Sequence, residues 1–127
     1  DMPHERLQDF VVIDYTKEMV ILATVKEDNQ EIVVGVGQYL LNGDNHTAEV
    51  AFIVRDDYQN RGVATALLRY LTNLAIKRGL LGFTSEVLMS NGAMIRVFEK
   101  MGFHLEKHPM LDGDPMYALK ISFVDSN

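Results

Sequence analysis

The stretch from Val54 to Thr65 constrains the fold of this chain more than any other. It joins an apolar run, Ala48 to Val54, to an amphipathic segment that continues to about Arg78. A strand that turns tightly into a helix brings free backbone N–H groups, and the positive end of the helix dipole, to the end of the strand. Such a helix end binds phosphate or diphosphate groups readily. Gly62 lets the backbone approach an anion closely, and Arg61 can add a charge-assisted contact.

The same spacing also fits an ordinary strand, turn and helix that bind nothing. Two other phosphate-binding patterns are excluded. No Gly-Lys-Ser/Thr sequence follows the turn, so this is not a nucleoside-triphosphate loop. The Gly-x-Gly-x-x-Gly pattern of dinucleotide-binding domains is also absent.

The hydrophobic pattern predicts a mixed α/β (α+β) sheet. Apolar runs at Met19 to Val25, Ile32 to Leu41 and Thr47 to Val54 predict three strands joined by short turns, which form an antiparallel meander. Val63 to Arg78 has a helical period and Leu81 to Met89 has the composition of a strand. This order predicts a right-handed parallel crossover.

The remaining segments complete the expected fold. Glu5 to Gln8 is expected to be helical, and Asn91 to Met101 is predicted to be a second amphipathic helix. Residues 103–123 are predicted to form a final hairpin. We expect helices on both faces of the sheet.

Composition and charge limit the function classes. A length of 127 residues with 47% hydrophobic content indicates one globular domain, residues 1–127. A net charge of −6 argues against a nucleic-acid partner, which would need a basic face. Cysteine is absent and the four histidines lack metal-ligand spacing, so neither a disulfide nor a metal is expected. No apolar run is long enough to span a bilayer, so we expect a cytoplasmic location without a membrane partner.

Two motifs in this chain resemble those of the GNAT family of N-acetyltransferases. The first, Gln59-Asn60-Arg61-Gly62-Val63-Ala64, is similar to the family's acetyl-CoA-binding signature, Gln/Arg-x-x-Gly-x-Gly/Ala. The second consists of Asn91 and, further along, Phe98-Glu99-Lys100-Met101-Gly102-Phe103.

A more specific resemblance is to the acetyltransferase domain of bacterial protein-lysine acetyltransferases, in which that domain is fused to an acyl-CoA-synthetase-like region. It rests on the segments Ile13–Tyr15, Glu18–Met19, Ala48–Phe52, Val54–Gln59 and Glu86–Leu88. The resemblance covers roughly Leu7 to Phe103. Family domains usually open with a strand and a helix that are not evident here. Because the chain starts at Asp1, we expect these elements to lie upstream or to be missing.

Acetyl-CoA is the co-substrate that this resemblance implies. Its pantetheine arm is expected in a V between two splayed strands, and its diphosphate is expected on the first amides of the long helix. The implied cofactor-binding residues are Phe52, Ile53, Val54, Gln59, Asn60, Arg61, Gly62, Val63, Ala64, Thr65 and Asn91. Asn91 also suits a helix N-cap, and the two roles are compatible.

Glu49 is the candidate catalytic residue. A lysine amine has a pKa near ~10.4, so deprotonating it at pH 7 costs about 4.6 kcal/mol, and a positioned carboxylate can accept that proton. Glu49 is the only acidic residue between Thr47 and Val54, and the resemblance implies a general base there. An ordinary surface glutamate is the alternative, and Glu86 is the reserve candidate for the base.

Phe98 departs from the family pattern. Many family members have a tyrosine at this place, which protonates the leaving thiolate, and phenylalanine cannot donate a proton. The alternatives that we consider are unassisted departure of the thiolate and its protonation by water or by Tyr117.

The resemblance implies direct transfer of an acetyl group to a lysine side chain of a protein, with acyl-CoA synthetases as the expected partners. One alternative is a small-molecule amine acetyltransferase, which would use the same core chemistry. Another is a non-catalytic acyl-CoA-sensing module, which Phe98 and the missing opening elements favour. The sequence does not indicate the oligomeric state.

Overall fold

The computed structural model describes residues 7–124, with side chains from Phe10 onward. Its elements are β1 (Leu7–Asp14), β2 (Glu18–Glu27), β3 (Gln30–Leu41), β4 (Thr47–Val54), a 3-10 turn (Asp56–Tyr58), α1 (Val63–Lys77), β5 (Gly82–Leu88), α2 (Gly92–Glu99), β6 (His104–Met110) and β7 (Met116–Ser122). In this part of the chain, neither helix combines the length and the apolar character that crossing a membrane requires.

The seven strands form one sheet in the order β1-β2-β3-β4-β5-β7-β6. Strands β1 to β4 are antiparallel neighbours, β4 and β5 are parallel, and β5, β7 and β6 are again antiparallel. The predicted mixed sheet, a meander followed by a parallel crossover, is confirmed. The turn between β2 and β3 shows how local chemistry sets the meander. There Asp28 and Asn29 have φ values of 50° and 64°, the sign that tight hairpin turns need.

The first strand differs from the prediction. The segment expected to be helical, Glu5 to Gln8, begins outside the described residues, and its last two residues open β1. The apolar run that follows pairs with β2, where Phe10 lies opposite Ala23. Phe10 also packs against Tyr70 of α1, with ring centroids 4.9 Å apart. Pairing and packing with distant residues therefore outweigh the local preference for a helix.

Helix α1 packs closely across the middle of the meander. A Cβ atom on Gly37 of β3 would lie 3.0 Å from a terminal methyl group of Leu71, so a larger residue here would require that side chain to shift by a few tenths of an ångström. The apolar stripe of α1 is buried, with Leu67 and Leu71 both fully inaccessible. Burying a leucine contributes roughly 1.5–3 kcal/mol, so this stripe anchors α1 and fixes the turn before it.

Helix α2 lies on the same face of the sheet as α1. Its buried Phe98 packs against Phe52 of β4, with ring centroids 6.1 Å apart, and Phe52 lies beside Gly37 under α1. The two described helices therefore lie on one face of the sheet, whereas we had predicted helices on both faces. The crossovers β4–α1–β5 and β5–α2–β6 step across the sheet in the same direction. Right-handed connections then put both helices on one side.

The other side of the sheet, here called the open face, carries no helix of the described residues. Side chains alternate along a strand, so Glu49, Ala51 and Ile53 point to the open face while Val50 and Phe52 point to the helices. Ile53 is 76% exposed. The open face is therefore accessible to solvent along β4.

Candidate active site

Strands β4 and β5 separate along their length. They are paired only where Thr47 to Glu49 lies beside Gly82 to Thr84, although both strands run further. At the point of separation, the hydroxyl of Ser85 donates a hydrogen bond of 2.9 Å to the carbonyl of Val50. The two strands thus form a V that opens toward their carboxyl ends.

The turn between β4 and α1 presents free backbone donors. Gly62 caps the helix in the left-handed region, with φ of 85°, and no side chain caps it. The N–H of Ala66 donates to the carbonyl of Gly62 over 3.0 Å, so the N–H groups of Val63, Ala64 and Thr65 have no helical acceptor. The first turn contains no acidic residue. The amides and the helix dipole therefore favour an anion here.

A cavity of about 570 Å³, here called the turn-side cavity, lies between the end of β4, the start of α1 and helix α2. It is lined by all but one of the residues predicted to bind the cofactor: Phe52, Ile53, Val54, Gln59, Asn60, Gly62, Val63, Ala64, Thr65 and Asn91. The exception is Arg61. Its guanidinium lies over the ring of Tyr58, 5.1 Å from the centroid, and Tyr58 itself lines the cavity.

A second cavity of about 370 Å³, here called the open-face cavity, holds the candidate bases. Glu49 of β4 and Glu86 of β5 line it, one from each arm of the V, and both are exposed. Phe52, Asn91 and Met94 line this cavity as well as the turn-side cavity, so the two adjoin through the V. The start of α1 and the two carboxylates therefore line adjoining cavities.

Asn91 has one of the two roles considered for it, that of a helix N-cap. Its side-chain oxygen accepts a hydrogen bond of 3.1 Å from the N–H of Met94 and so caps α2. Asn91 also lines both cavities. Because capping uses the carbonyl oxygen of the side chain, the amide NH₂ group stays available for a ligand.

Many family members have a tyrosine that protonates the leaving thiolate, and neither Phe98 nor Tyr117 can take over this role here. Phe98 is 2% exposed and lines the open-face cavity without a polar atom. Tyr117 lines neither cavity, and its ring centroid lies 6.0 Å from the Lys107 ammonium on the neighbouring β6. Tyr117 is therefore not placed to protonate a group in the V.

Sequence reasoning missed two side chains that line the cavities and hold their walls in place. Ser85 holds β5 to β4 at the start of the V, and an inward-facing polar residue in an apolar strand was a usable signal for it. The hydroxyl of Tyr58 donates to the carboxylate of Glu27 over 2.6 Å. These two residues are 31 positions apart in sequence, so no local pattern could have shown their contact.

The two histidines of β6 both lie beside the carboxylate of Glu106 on the same strand. His104 and His108 lie 3.6 and 2.8 Å from the carboxylate of Glu106. The hydrogen bond from His108 is the main cause of a lowered pKa of Glu106. Among the residues that the structure describes, no group of three or more His, Asp or Glu side chains is placed to hold a metal ion.

A V of strands beside a helix start with free amides is the arrangement that the sequence resemblance implied for an acetyltransferase. Residues 2–103 match the acetyltransferase (GNAT) family, and the chain belongs to this family. Members of the family use acetyl-CoA.

Individual relatives agree with this assignment. The protein named acetyltransferase PA5475 of Pseudomonas aeruginosa is 30% identical over 103 residues, which is 81% of this chain and 55% of that protein. Acetyltransferase Pat of Mycolicibacterium smegmatis is 35% identical over 91 residues, 71% of this chain and 27% of that protein. The crystal structure of the GNAT domain of S. lividans PAT superposes with a TM-score of 0.69 at 28% identity, covering 87% of this chain and 64% of that one. The chain thus spans about half or less of the length of these two curated relatives.

Proposed function

We propose that the chain transfers the acetyl group of acetyl-CoA to the side chain of a protein lysine, by direct attack in a ternary complex. One observation carries the proposal. The turn-side and open-face cavities adjoin through the V, with free amides of α1 at one end and Glu49 at the other. A long molecule with a diphosphate at one end and a reactive thioester at the other fits this arrangement.

The donor is proposed to bind from the turn side. Its diphosphate would contact the amides of Val63 to Thr65, where no carboxylate of the first helical turn opposes it. Its pantetheine arm would run along the edge of β4 that is unpaired with β5 beyond Glu49. Amide groups of the arm can pair with such an edge as an added strand does. The thioester would then lie near Phe52 and Asn91, which line both cavities.

In the proposed reaction, the amine nitrogen attacks the carbonyl carbon of the thioester, the carbon–sulfur bond breaks, and the thiolate of coenzyme A leaves. The amine must lose a proton, at a cost of about 4.6 kcal/mol for a free lysine at pH 7. Glu49 lines the open-face cavity and takes up this proton directly or through one water molecule. The thiolate takes its proton from solvent, because Phe98 has none to give and Tyr117 lies outside both cavities.

The form of the open-face cavity supports a protein acceptor. Helix α2 lines one side of the cavity, but Glu49 lines it from the open face, which no described helix covers, so a lysine on the surface of another protein can approach Glu49. Leu40, Leu88 and Met116 line the same cavity and suit the four-carbon stem of lysine. The sequence resemblance points to acyl-CoA synthetases as partners and to the cytoplasm as location, and both are part of the proposal.

Two other functions are weighed against this one. A small amine is an alternative acceptor, since the same chemistry serves it. A non-catalytic acyl-CoA-sensing module is an alternative of a different class. The buried Phe98, which stands where many family members have a proton donor, is the observation that favours it.

Transfer of a labelled acetyl group separates these functions. The purified chain is incubated with labelled acetyl-CoA and, in separate reactions, with an acyl-CoA synthetase and with a panel of small amines. We expect label on lysines of the synthetase, and little label with Glu49→Gln. Glu86→Gln is the matched control, because it removes the carboxylate of the opposite arm and should keep most of the activity. If only the small amines became labelled, the acceptor would be a small molecule and not a protein. If the chain bound acetyl-CoA but transferred no label, it would be a sensing module.

A further inference from the structure

A cluster beside the turn-side cavity takes no part in the proposed chemistry. Its centre is Tyr58, which ends the 3-10 turn, is 5% exposed and lines the cavity. Its hydroxyl donates a hydrogen bond of 2.6 Å to Glu27, the last residue of β2. That bond, together with burial and the charge of Glu27, raises the pKa of Tyr58. The phenol therefore stays protonated at neutral pH and keeps the bond.

Two guanidinium groups stack on the Tyr58 ring at nearly equal distances. The centroid of the ring lies 5.0 Å from the guanidinium carbon of Arg55 and 5.1 Å from that of Arg61. Arg55 donates two hydrogen bonds, of 2.6 and 2.7 Å, to Asp57 and lies 3.5 Å from an oxygen of Glu27. Arg61 forms no hydrogen bond or ion pair with the described residues. Of the two cations, Arg61 is the one that no described carboxylate hydrogen-bonds, although its charge also helps to lower the pKa of Asp57.

The pairing of Arg55 matters because the cavity is proposed to bind an anion. Asp57 and Glu27 are carboxylates close to the turn, and unpaired they would repel a diphosphate. Arg55 offsets both, and its hydrogen bond is the main cause of the lowered pKa of Asp57. Arg61, which directly precedes Gly62, is then the cation of the turn that no described carboxylate hydrogen-bonds, and Arg96 and Lys100 line the cavity from the side of α2.

We propose that Tyr58 is a positioning residue of the coenzyme site. Its ring, anchored by Glu27, holds the guanidinium of Arg61 beside the start of α1, where it contacts the diphosphate of coenzyme A. A cation–π contact restricts a long exposed side chain, so less conformational entropy is lost when the anion binds. The inference rests on the proposed binding of acetyl-CoA in the turn-side cavity.

A double-mutant cycle, measured by calorimetry with acetyl-CoA, tests this role. We expect Arg61→Ala to weaken binding about tenfold, because a charge-assisted contact is lost. Tyr58→Leu should weaken binding about threefold to tenfold, and the double variant should bind like Arg61→Ala alone, because Tyr58 acts through Arg61. If Tyr58→Leu acted through a general loss of structure, it would weaken acetyl-CoA binding by the same factor in the wild-type and Arg61→Ala backgrounds. That result would overturn the proposal.

Arg55 supplies the matched control, since its guanidinium stacks on the same ring. In an Arg55→Ala background, Tyr58→Leu should keep its full effect on binding. Loss of the effect there as well would show that the coupling is not specific to Arg61, against the proposal.

Milder variants keep the test valid if circular dichroism shows that Tyr58→Leu does not fold. Tyr58→Phe and Glu27→Gln keep the ring and weaken its anchor. We expect each to weaken binding about twofold to threefold when Arg61 is present and to have no effect when it is absent. An equal effect in both backgrounds contradicts the proposal. Wild-type protein with no affinity for acetyl-CoA refutes the coenzyme site itself, whereas normal wild-type affinity with an additive cycle refutes only the role of Tyr58.

Discussion

The two ends of the cleft are built in different ways. At the turn-side end, the backbone donors come from one continuous segment, residues 59–65, which the buried stripe of α1 holds in place. At the open-face end, Glu49 and Glu86 come from strands distant in sequence, and both are exposed without hydrogen-bond partners among the described residues. The first end is preorganised by its own backbone, whereas the second depends on solvent-facing side chains. We therefore expect changes at the turn side to alter coenzyme affinity and changes at the open face to alter turnover.

The largest expected effect is on turnover, from Glu49→Gln. Loss of the general base should lower kcat by about 10²- to 10⁴-fold. The dissociation constant of acetyl-CoA should stay within about twofold, because the free amides of α1 carry diphosphate binding. Steady-state kinetics and calorimetry measure the two quantities. If affinity and turnover fall together, the two ends are not separable in the way we describe.

The next effect is on affinity, from Gly62→Ala. Gly62 has φ of +85° with nothing within 4 Å of an added Cβ, so the substitution strains the backbone without a clash. The strain should cost about 1–2 kcal/mol in the free energy of unfolding and should weaken acetyl-CoA binding about tenfold. Gly113→Ala is the matched control, because Gly113 has the same φ of +85° and equal space, in the β6–β7 turn. It should lose similar stability in urea and keep its affinity.

A smaller effect separates the two roles of Asn91, which lies between the two ends. Asn91→Ala should lower the free energy of unfolding by about 1 kcal/mol, since α2 loses its cap, while Asn91→Ser should keep most of that stability. Both variants should raise the KM for acetyl-CoA severalfold, because both lose the amide NH₂ group. An unchanged KM in Asn91→Ser would show that Asn91 is a cap alone.

The smallest effect concerns the closed end of the V. Asp44 accepts hydrogen bonds from the backbone N–H groups of His46 and Thr47, at 2.8 and 3.0 Å, and these lower its pKa, with the His46 bond the larger cause. A carboxyl group whose pKa is lowered by folding adds stability above its unfolded pKa of ~3.9, and this stability is lost as the pH falls through the folded value. Asp44→Asn should therefore lower the free energy of unfolding at pH 7. At pH 3, the free energies of unfolding of the variant and the wild type should differ by less. Urea unfolding at the two pH values measures this, and a difference that stays constant would contradict it.

The turn-side end could be predicted from sequence because its residues are contiguous and each acts locally. The prediction placed the long helix at Val63 to Arg78, and the structure has it at Val63–Lys77. Strand β4 has the predicted bounds, Thr47–Val54. Catalysis by Glu49 and cofactor binding by the turn residues stay predictions.

What sequence reasoning missed depends on contacts between distant segments. Strand β1 forms because Phe10 pairs with β2 and packs on Tyr70, although the residues before it favoured a helix. Arg61 lies over the ring of Tyr58, and the hydroxyl of Tyr58 is hydrogen-bonded to Glu27, which lies 31 positions earlier in the chain. Periodicity and local propensity carry no signal for either arrangement.

The gap between β4 and β5 passes through the sheet, and this gives the proposed reaction two separate routes of entry and exit. Coenzyme would use the edge beside α1, and the acceptor would use the uncovered side. Neither substrate would then have to wait for the other, so binding could follow a random order. Free coenzyme A would then compete with acetyl-CoA alone, and the acetylated product would compete with its own precursor alone.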